Sequence, residues 1–297
     1  GLSAALHLAQ KGLSVVVLEA HRAGFGASGR NGGQVGSGYN KSQQWLAKRL
    51  GDGAARALWD MAEEAKADLR ENVETFAPDA NYKSGVAHGT YSARDLAAEH
   101  ANANYLARTY GYDKIDLLDK SQLCDIVKTP LYQGGTLDHG AGHLHPLRYV
   151  FGLARAAEAA GAQIYERSEV HHIAKGTRAQ VHTNKGRVDA KFVVIAGNGY
   201  LPGIERKIAA KVMPINSFIG ATANRPHRFL PAISLSPTTN SSSITTVCPT
   251  ITACCSVGAK AMPSGSPKTF KPPCTSAWST FSRNSPAWAS TMFGAAL

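Results

Sequence analysis

Seven glycines fall between Gly24 and Gly38, in the run Gly24-Phe-Gly-Ala-Ser-Gly-Arg-Asn-Gly-Gly-Gln34 and its continuation. Each glycine in a helix or strand costs backbone entropy, so no regular element tolerates that density. The stretch is a loop whose backbone N–H groups can approach a ligand closely. Before it, Gly1 to Lys11 reads as a compact apolar helix, with Leu2, Leu6 and Leu8 set among alanines and Gly12 as its stop. Leu13–Glu19 (LSVVVLE) follows as a buried parallel strand, rich in β-branched residues and closed by an acid. Helix, strand and loop in this order form the second half of a βαβ unit, so a first strand and its turn are expected ahead of Gly1.

Beyond the loop, two or three helices are predicted from about Ser42 to Phe76, packed through a stripe of Trp45, Leu46, Leu50, Ala54, Leu58 and Met61. Tyr82–Tyr91 reads as a strand, Ala93–Tyr110 as a helix, and Ser121–Lys128 as a short helix capped by Ser121. Tyr132–His145 is rich in Gly and His and extended, and Pro146 opens a helix running to about Ala160 that Gly161 stops. Gln163–Val170, Ala179–Thr183, Arg187–Asp189 and Phe192–Ala196 read as strands, with a hairpin at Asn184-Lys185-Gly186. The last strand runs into Gly197-Asn198-Gly199, a tight turn at a strand's carboxyl end, where open α/β sheets place ligands.

The formal charge of +11 would suit a nucleic-acid partner. Its placement argues otherwise. From Asn224 to Leu297 there is no Asp or Glu, while that run holds six cations, 23 Ser or Thr, nine of the 14 prolines and four of the five cysteines. Its composition fits a Ser/Pro-rich tail, a cysteine module, or an out-of-frame translation. Cys248, Cys254, Cys255 and Cys274 lack the spacing of a metal site. An out-of-frame tail starting near Asn224 is the expectation, since it accounts at once for the lost acids and the lost periodicity. The first 223 residues carry 26 cations and 21 anions with no basic run, which removes the case for nucleic acid. No stretch approaches the roughly 18 apolar residues of a membrane span, and no leader pattern opens the chain. A cytoplasmic protein is expected, and the lone Cys124 of the first 223 residues reads as a small, reduced core residue.

The spacing from Gly1 through helix and strand to Glu19 is that of a dinucleotide fold, with a glycine for helix–strand packing and an acid to accept from ribose hydroxyls. Taken with "LEA-R-GFGASGRNGGQ" from Leu18 to Gln34, the sequence resembles the amine-oxidising flavoproteins of the D-amino acid oxidase class. Gly135-Thr-Leu-Asp-His-Gly-Ala-Gly-His-Leu-His-Pro-Leu147, Ala190-Lys-Phe-Val-Val-Ile-Ala-Gly-Asn-Gly-Tyr-Leu201 and Met213-Pro214 extend that resemblance to about residue 223.

The resemblance implies an α/β fold: a discontinuous FAD-binding Rossmann-like domain with an interleaved α+β substrate domain. Its segments would be 1–80 and 146–205 for FAD, 81–145 and 206–223 for substrate, and 224–297 as an aberrant tail. It also implies oxidation of the primary amine of gamma-glutamylputrescine to an imine that hydrolyses to aldehyde and ammonia, oxygen leaving as hydrogen peroxide. A related glycine, sarcosine or amino-acid oxidase or dehydrogenase, and a non-catalytic fragment, are the alternatives. By position, Gly1 and Glu19 would hold the ADP part, while Ser28, Arg30, Asn31, Gly32, Gly33 and Gln34 would pass along the pyrophosphate, ribitol and ring. Val170 would meet adenine through its backbone, and Ala196 with Gly197 would form the second turn over the cofactor. The fingerprint's first two glycines are absent, which removes pyrophosphate contacts at the helix N-terminus and weakens the expected hold on FAD. His139, His143 and His145 could share a metal only on a helix, which Gly140, Gly142 and Pro146 deny. They read as structural histidines, with His145 available to line a pocket.

Overall fold

The computed structural model describes residues 1–201, 203–212, 217–221, 234–237 and 254–258. The chain opens with α1 (Leu2–Gln10), which buries Ala5, Leu6 and Ala9 and ends at Gly12 in the left-handed region, φ 77°. β1 (Val16–Leu18) follows; a 3-10 turn at Ala27–Gly29 interrupts the glycine loop and β2 (Gln34–Val35) closes it. Next come α2 (Gln43–Leu50), α3 (Asp52–Phe76), β3 (Lys83–Thr90), α4 (Ala93–Tyr110), β4 (Ile115–Leu118), α5 (Lys120–Val127) and β5 (Gly134–His143). Then follow α6 (Pro146–Ala159), β6 (Gln163–Tyr165), β7 (Val170–Ala174), β8 (Ala179–Thr183), β9 (Gly186–Ala190) and α7 (Arg206–Ala209). β10 (Ser217–Ala221), β11 (Ser234–Pro237) and β12 (Cys254–Gly258) are short strands.

The fold is α/β. β1 pairs in parallel with β6, and α1 and α6 share one apolar cluster in which Leu6 and Ala9 join Leu153, Ala156 and Ala157, with Val15, Val17 and Ile164 packed against it. A second sheet is built around β5: β3 takes one edge, and β4 and β2 share the other, β4 over 135–138 and β2 over 142–143. β11 adds in parallel to the free edge of β3. β7, β8 and β9 form an antiparallel meander with the predicted tight hairpin between Thr183 and Gly186, and β10 pairs with β12. Of the stretch 224–297, only the strands at 234–237 and 254–258 are described, and the remainder of the expected tail lies outside the described residues. Among the described residues no helix is long and apolar enough to cross a membrane.

Several local expectations are corrected. Phe192–Ala196 makes no strand: Phe192 is 88% and Val194 66% exposed, and no strand among the described residues lies beside the segment to take its backbone hydrogen bonds. Gln163–Val170 is split, because Arg167 adopts a left-handed conformation (φ 52°) and donates its N–H to His21 O at 2.7 Å, turning the chain between β6 and β7. Of the predicted stripe, Leu46 on α2 is buried as expected and Leu58 half-buried, while Trp45, Leu50, Ala54 and Met61 are exposed; on α3 the buried side is Ala55, Trp59, Lys66, Asn72 and Val73. On α3 the helical period holds and the phase is one residue off, a rotation of about 100°.

The cap of α5 is Asp119 rather than Ser121. Asp119 Oδ1 accepts from Gln122 N at 2.8 Å and Gln122 Oε1 accepts from Asp119 N at 2.9 Å, a reciprocal capping box. Asp119→Ala is therefore expected to cost about 1 kcal/mol in urea denaturation, with Ser121→Ala within about 0.5 kcal/mol of wild type. Equal losses in the two variants would return the cap to Ser121.

Candidate cofactor site

The carboxyl end of β1 delivers Glu19, half-buried, into a short zip with the β6–β7 turn. Glu19 N donates to Tyr165 O at 3.0 Å, Ser168 N donates to Glu19 O at 2.8 Å, and Ala23 N donates to Glu166 Oε1 at 2.9 Å. The Glu19 carboxylate accepts from His21 N at 2.9 Å, which orients it at the strand end. Val170 starts β7 a few residues past that zip. Glu19 and Val170 thus share one end of the loop region.

Ser28 to Gln34 run from the 3-10 turn into β2. Asn31 is consumed inside the loop: its Nδ2 donates to Ala27 O and Ser28 O, both at 3.0 Å, and its Oδ1 accepts from Gly33 N at 2.8 Å. Its side chain therefore staples the loop instead of reaching out of it. Gly33 is buried at φ 71°, and a Cβ there would overlap Leu144 O, so loop and the end of β5 meet backbone to backbone. Gly24 and Gly29 press on Leu147 at the start of α6. Gly26 lies against the Tyr200 ring, which ties the loop to the Gly197 turn, where Tyr200 N donates to Gly197 O at 2.9 Å. Gly1 stands against Ala196, 3.4 Å from Cβ position to Cβ. The structure thus gathers Gly1 with Ala196 and the glycine loop with the Gly197 turn, α6 and β5.

The donor set suits a dinucleotide diphosphate. No Asp or Glu occurs between Glu19 and Asp52, so the loop offers backbone N–H groups, the exposed Ser28 hydroxyl and one guanidinium, Arg30, as the only formal charge from 23 to 40. The acid at the strand end adds a carboxylate acceptor. At the far end, His143 is the register partner of Gln34 and is buried, with the Gly85 backbone as a polar neighbour but no well-formed hydrogen bond on either ring nitrogen. Buried polar groups are rarely left so. These residues fit FAD.

The three histidines separate. His139 pairs with Asp116 at the surface, 2.7 Å apart, and His145 caps α6, its Nδ1 accepting from Arg148 N. Among the described residues no cluster of three or more His, Cys, Asp or Glu is arranged to hold a metal ion. Burial, helped by the Lys83 charge and opposed only in part by the Gly85 backbone, holds the His143 ring below its ordinary value of 6.5. The unfolded chain then binds the proton first, so stability falls as pH drops below about 6.5 toward the lower folded value. Denaturation at pH 7.5 and 5.5 is expected to show a smaller drop for His143→Phe than for wild type; an identical drop places the titrating group elsewhere.

Sequence reading missed a buried polar cluster behind β2. Lys66, on the buried face of α3, sets its Nζ 2.8 Å from Glu63 Oε1, 2.7 Å from Ser37 Oγ and 3.3 Å from Gly140 O. Asp138 accepts from Ser37 Oγ and Tyr112 OH, each at 2.6 Å, and from the N–H groups of Gly140 and Ala141. Burial, with the Asp138 hydrogen bond next, pushes the Tyr112 phenol strongly up. The cluster anchors the exit of the glycine loop to β5. Its one sequence signal is a lysine in phase with Ala55, Trp59 and Val73.

A sequence model of the DAO family, FAD dependent oxidoreductase, matches residues 1–284. Gamma-glutamylputrescine oxidoreductase of Escherichia coli K12 is 40% identical over 224 residues, covering 75% of this chain and 52% of that protein. The chain spans about half the length of the curated relatives it matches. Glycine oxidase from Geobacillus kaustophilus shares the fold at TM-score 0.63 and 19% identity, over 88% of this chain and 69% of that one. L-proline dehydrogenase from P. horikoshii does so at TM-score 0.64 and 16% identity, over 86% and 66%. With that match running through almost the whole sequence, the chain belongs to the DAO family of FAD dependent oxidoreductases.

Proposed function

We propose that this chain binds FAD along the Glu19–Gln34 region and serves the oxidation of a primary amine, gamma-glutamylputrescine, to an aldehyde. The observation that supports the substrate is the 40% identity over 224 residues to a gamma-glutamylputrescine oxidoreductase. Glu19 would receive the ribose hydroxyls. Arg30, Ser28 and the loop N–H groups would neutralise and orient the diphosphate, and Gln34 with Gly33 would carry the ring toward β5. Ala196 and Gly197 would close over the cofactor from the second segment, with Gly1 behind them.

FAD held there would supply the two-electron oxidation of the amine to an imine, with oxygen as the final acceptor giving hydrogen peroxide. The resulting imine takes up water and releases ammonia, so amine, oxygen and water become aldehyde, ammonia and peroxide. The protein's part is to hold and orient the cofactor and to keep the reacting carbon out of water. A cytoplasmic setting, suited to the free thiol of Cys124, belongs to the same proposal.

The test is peroxide release by the chain with excess FAD, using gamma-glutamylputrescine, putrescine, glycine and sarcosine in turn. Turnover of gamma-glutamylputrescine above the others supports the reading. Preference for glycine or sarcosine replaces the substrate, and FAD binding without turnover of any amine leaves a cofactor-binding fragment.

A further inference from the structure

The loop's one charge rests on an aromatic contact that the sequence alone does not single out. The Arg30 guanidinium carbon lies 4.2 Å from the centre of the Phe25 ring, and the His21 ring neighbours Phe25 with centroids 4.2 Å apart, tilted by 44°. Backbone turns build the deck. Phe25 N donates to Arg22 O at 2.9 Å, Gly29 N to Gly26 O at 3.2 Å and Arg30 N to Ala27 O at 3.2 Å, which returns residue 30 over residue 25. His21 is fixed in turn through its N–H on Glu19 Oε1 at 2.9 Å.

A large aromatic left 43% exposed beside a ligand loop buries too little area to be a core residue. What it does offer is a face for a cation. An arginine on an exposed loop would otherwise lose side-chain rotamer entropy on binding an anion, and contact with the Phe25 face removes part of that loss in advance. Through His21, whose backbone N–H donates to the Glu19 carboxylate, the same segment also carries the strand-end acid.

We propose that Phe25 is a positioning residue: with His21 it holds the Arg30 guanidinium in place for the diphosphate of a dinucleotide. The inference rests on the FAD-binding reading above. It assigns the effect to phosphate, so ligands with a diphosphate depend on Phe25 and those without do not.

The experiment titrates FAD, ADP and adenosine into wild type, Phe25→Ala, Phe25→Trp and Arg30→Lys, followed by flavin fluorescence or calorimetry, with a thermal melt of each protein. Phe25→Ala is expected to weaken FAD and ADP by about 3–30-fold, the span of a cation–π contact of roughly 0.7–2 kcal/mol. Adenosine binding should change less than twofold, Phe25→Trp should stay within about threefold of wild type, and Arg30→Lys should match Phe25→Ala. Equal weakening by Ala and Trp, or equal weakening of adenosine, overturns the proposal in favour of a packing role. If Phe25→Ala binds ADP and FAD as wild type does, the proposal fails while the FAD-binding reading stands. If wild type binds neither FAD nor ADP, that reading fails and takes the proposal with it.

Discussion

Asp138→Ala is expected to cost about 3–5 kcal/mol of folding stability, the largest loss from any single side chain in the cluster behind β2. Asp138 is 5% exposed and is the acceptor for Ser37, Tyr112 and two backbone N–H groups. Alanine leaves the Gly140 and Ala141 N–H groups without their acceptor and leaves Ser37 and Tyr112, 2.8 Å apart, to bond each other. It also takes the buried carboxylate from a region where Lys66, 4% exposed, keeps only Glu63 as a charged partner among the described residues. Asp138→Asn keeps the shape and an acceptor but not the charge, so it should fall between alanine and wild type. Asp116, paired with His139 at 2.7 Å but 60% exposed, provides the contrast: Asp116→Ala should cost less than about 1 kcal/mol. Urea denaturation of the three variants checks this. A loss below about 1 kcal/mol for Asp138→Ala would mean that the cluster does not hold the loop exit.

Gly33→Ala carries the second large effect. Gly33 sits at φ 71°, its N–H goes to Asn31 Oδ1 and its carbonyl accepts from Leu144 N at 2.9 Å, so the residue is clasped on both sides. A Cβ would overlap the Leu144 carbonyl and approach Pro146 Cδ at 3.2 Å, neither of which is the flexible end of a side chain. Gly12 has nearly the same backbone angle, φ 77°, with nothing within 4 Å of the Cβ position. Gly12→Ala therefore isolates the left-handed penalty, about 1–2 kcal/mol. Gly33→Ala should lose about 2 kcal/mol more, the cost of overpacking, and should weaken FAD through the displaced loop. If the two variants lose the same stability, Gly33 owes its place to φ alone and the close approach of loop and β5 has no energetic weight.

What was legible in the sequence follows from what is local. The helix Ala93–Tyr110 was read to its ends because Ser92 caps it and Gly111 ends it at φ 67°. Pro146 and Gly161 bounded α6 in the same way. Glu19, the glycine loop and the Gly197 turn could be read as a candidate site because glycine density and a strand-end acid are themselves the chemistry. The failures are all relational. Phe192–Ala196 has a strand's composition, but a strand exists only through a partner. The phase of α3 depended on which side meets Tyr112 and Leu106, residues roughly 50 positions away in the chain, so Trp59 went unseen as core. Lys66 and Asp138 have no motif in common; only the fold brings α3 onto β5. His143 looked like its neighbours His139 and His145 until the register put it beside Gln34.

The Glu19–Gln34 region of this chain is proposed as a dinucleotide site. Titrating FAD with the purified chain and following the visible flavin band tests it most directly. A shift in the band that saturates at one FAD per chain, is reversed by excess ADP and is weakened in Arg30→Lys is the result predicted. A flavin spectrum that stays that of free FAD at every protein concentration would contradict it.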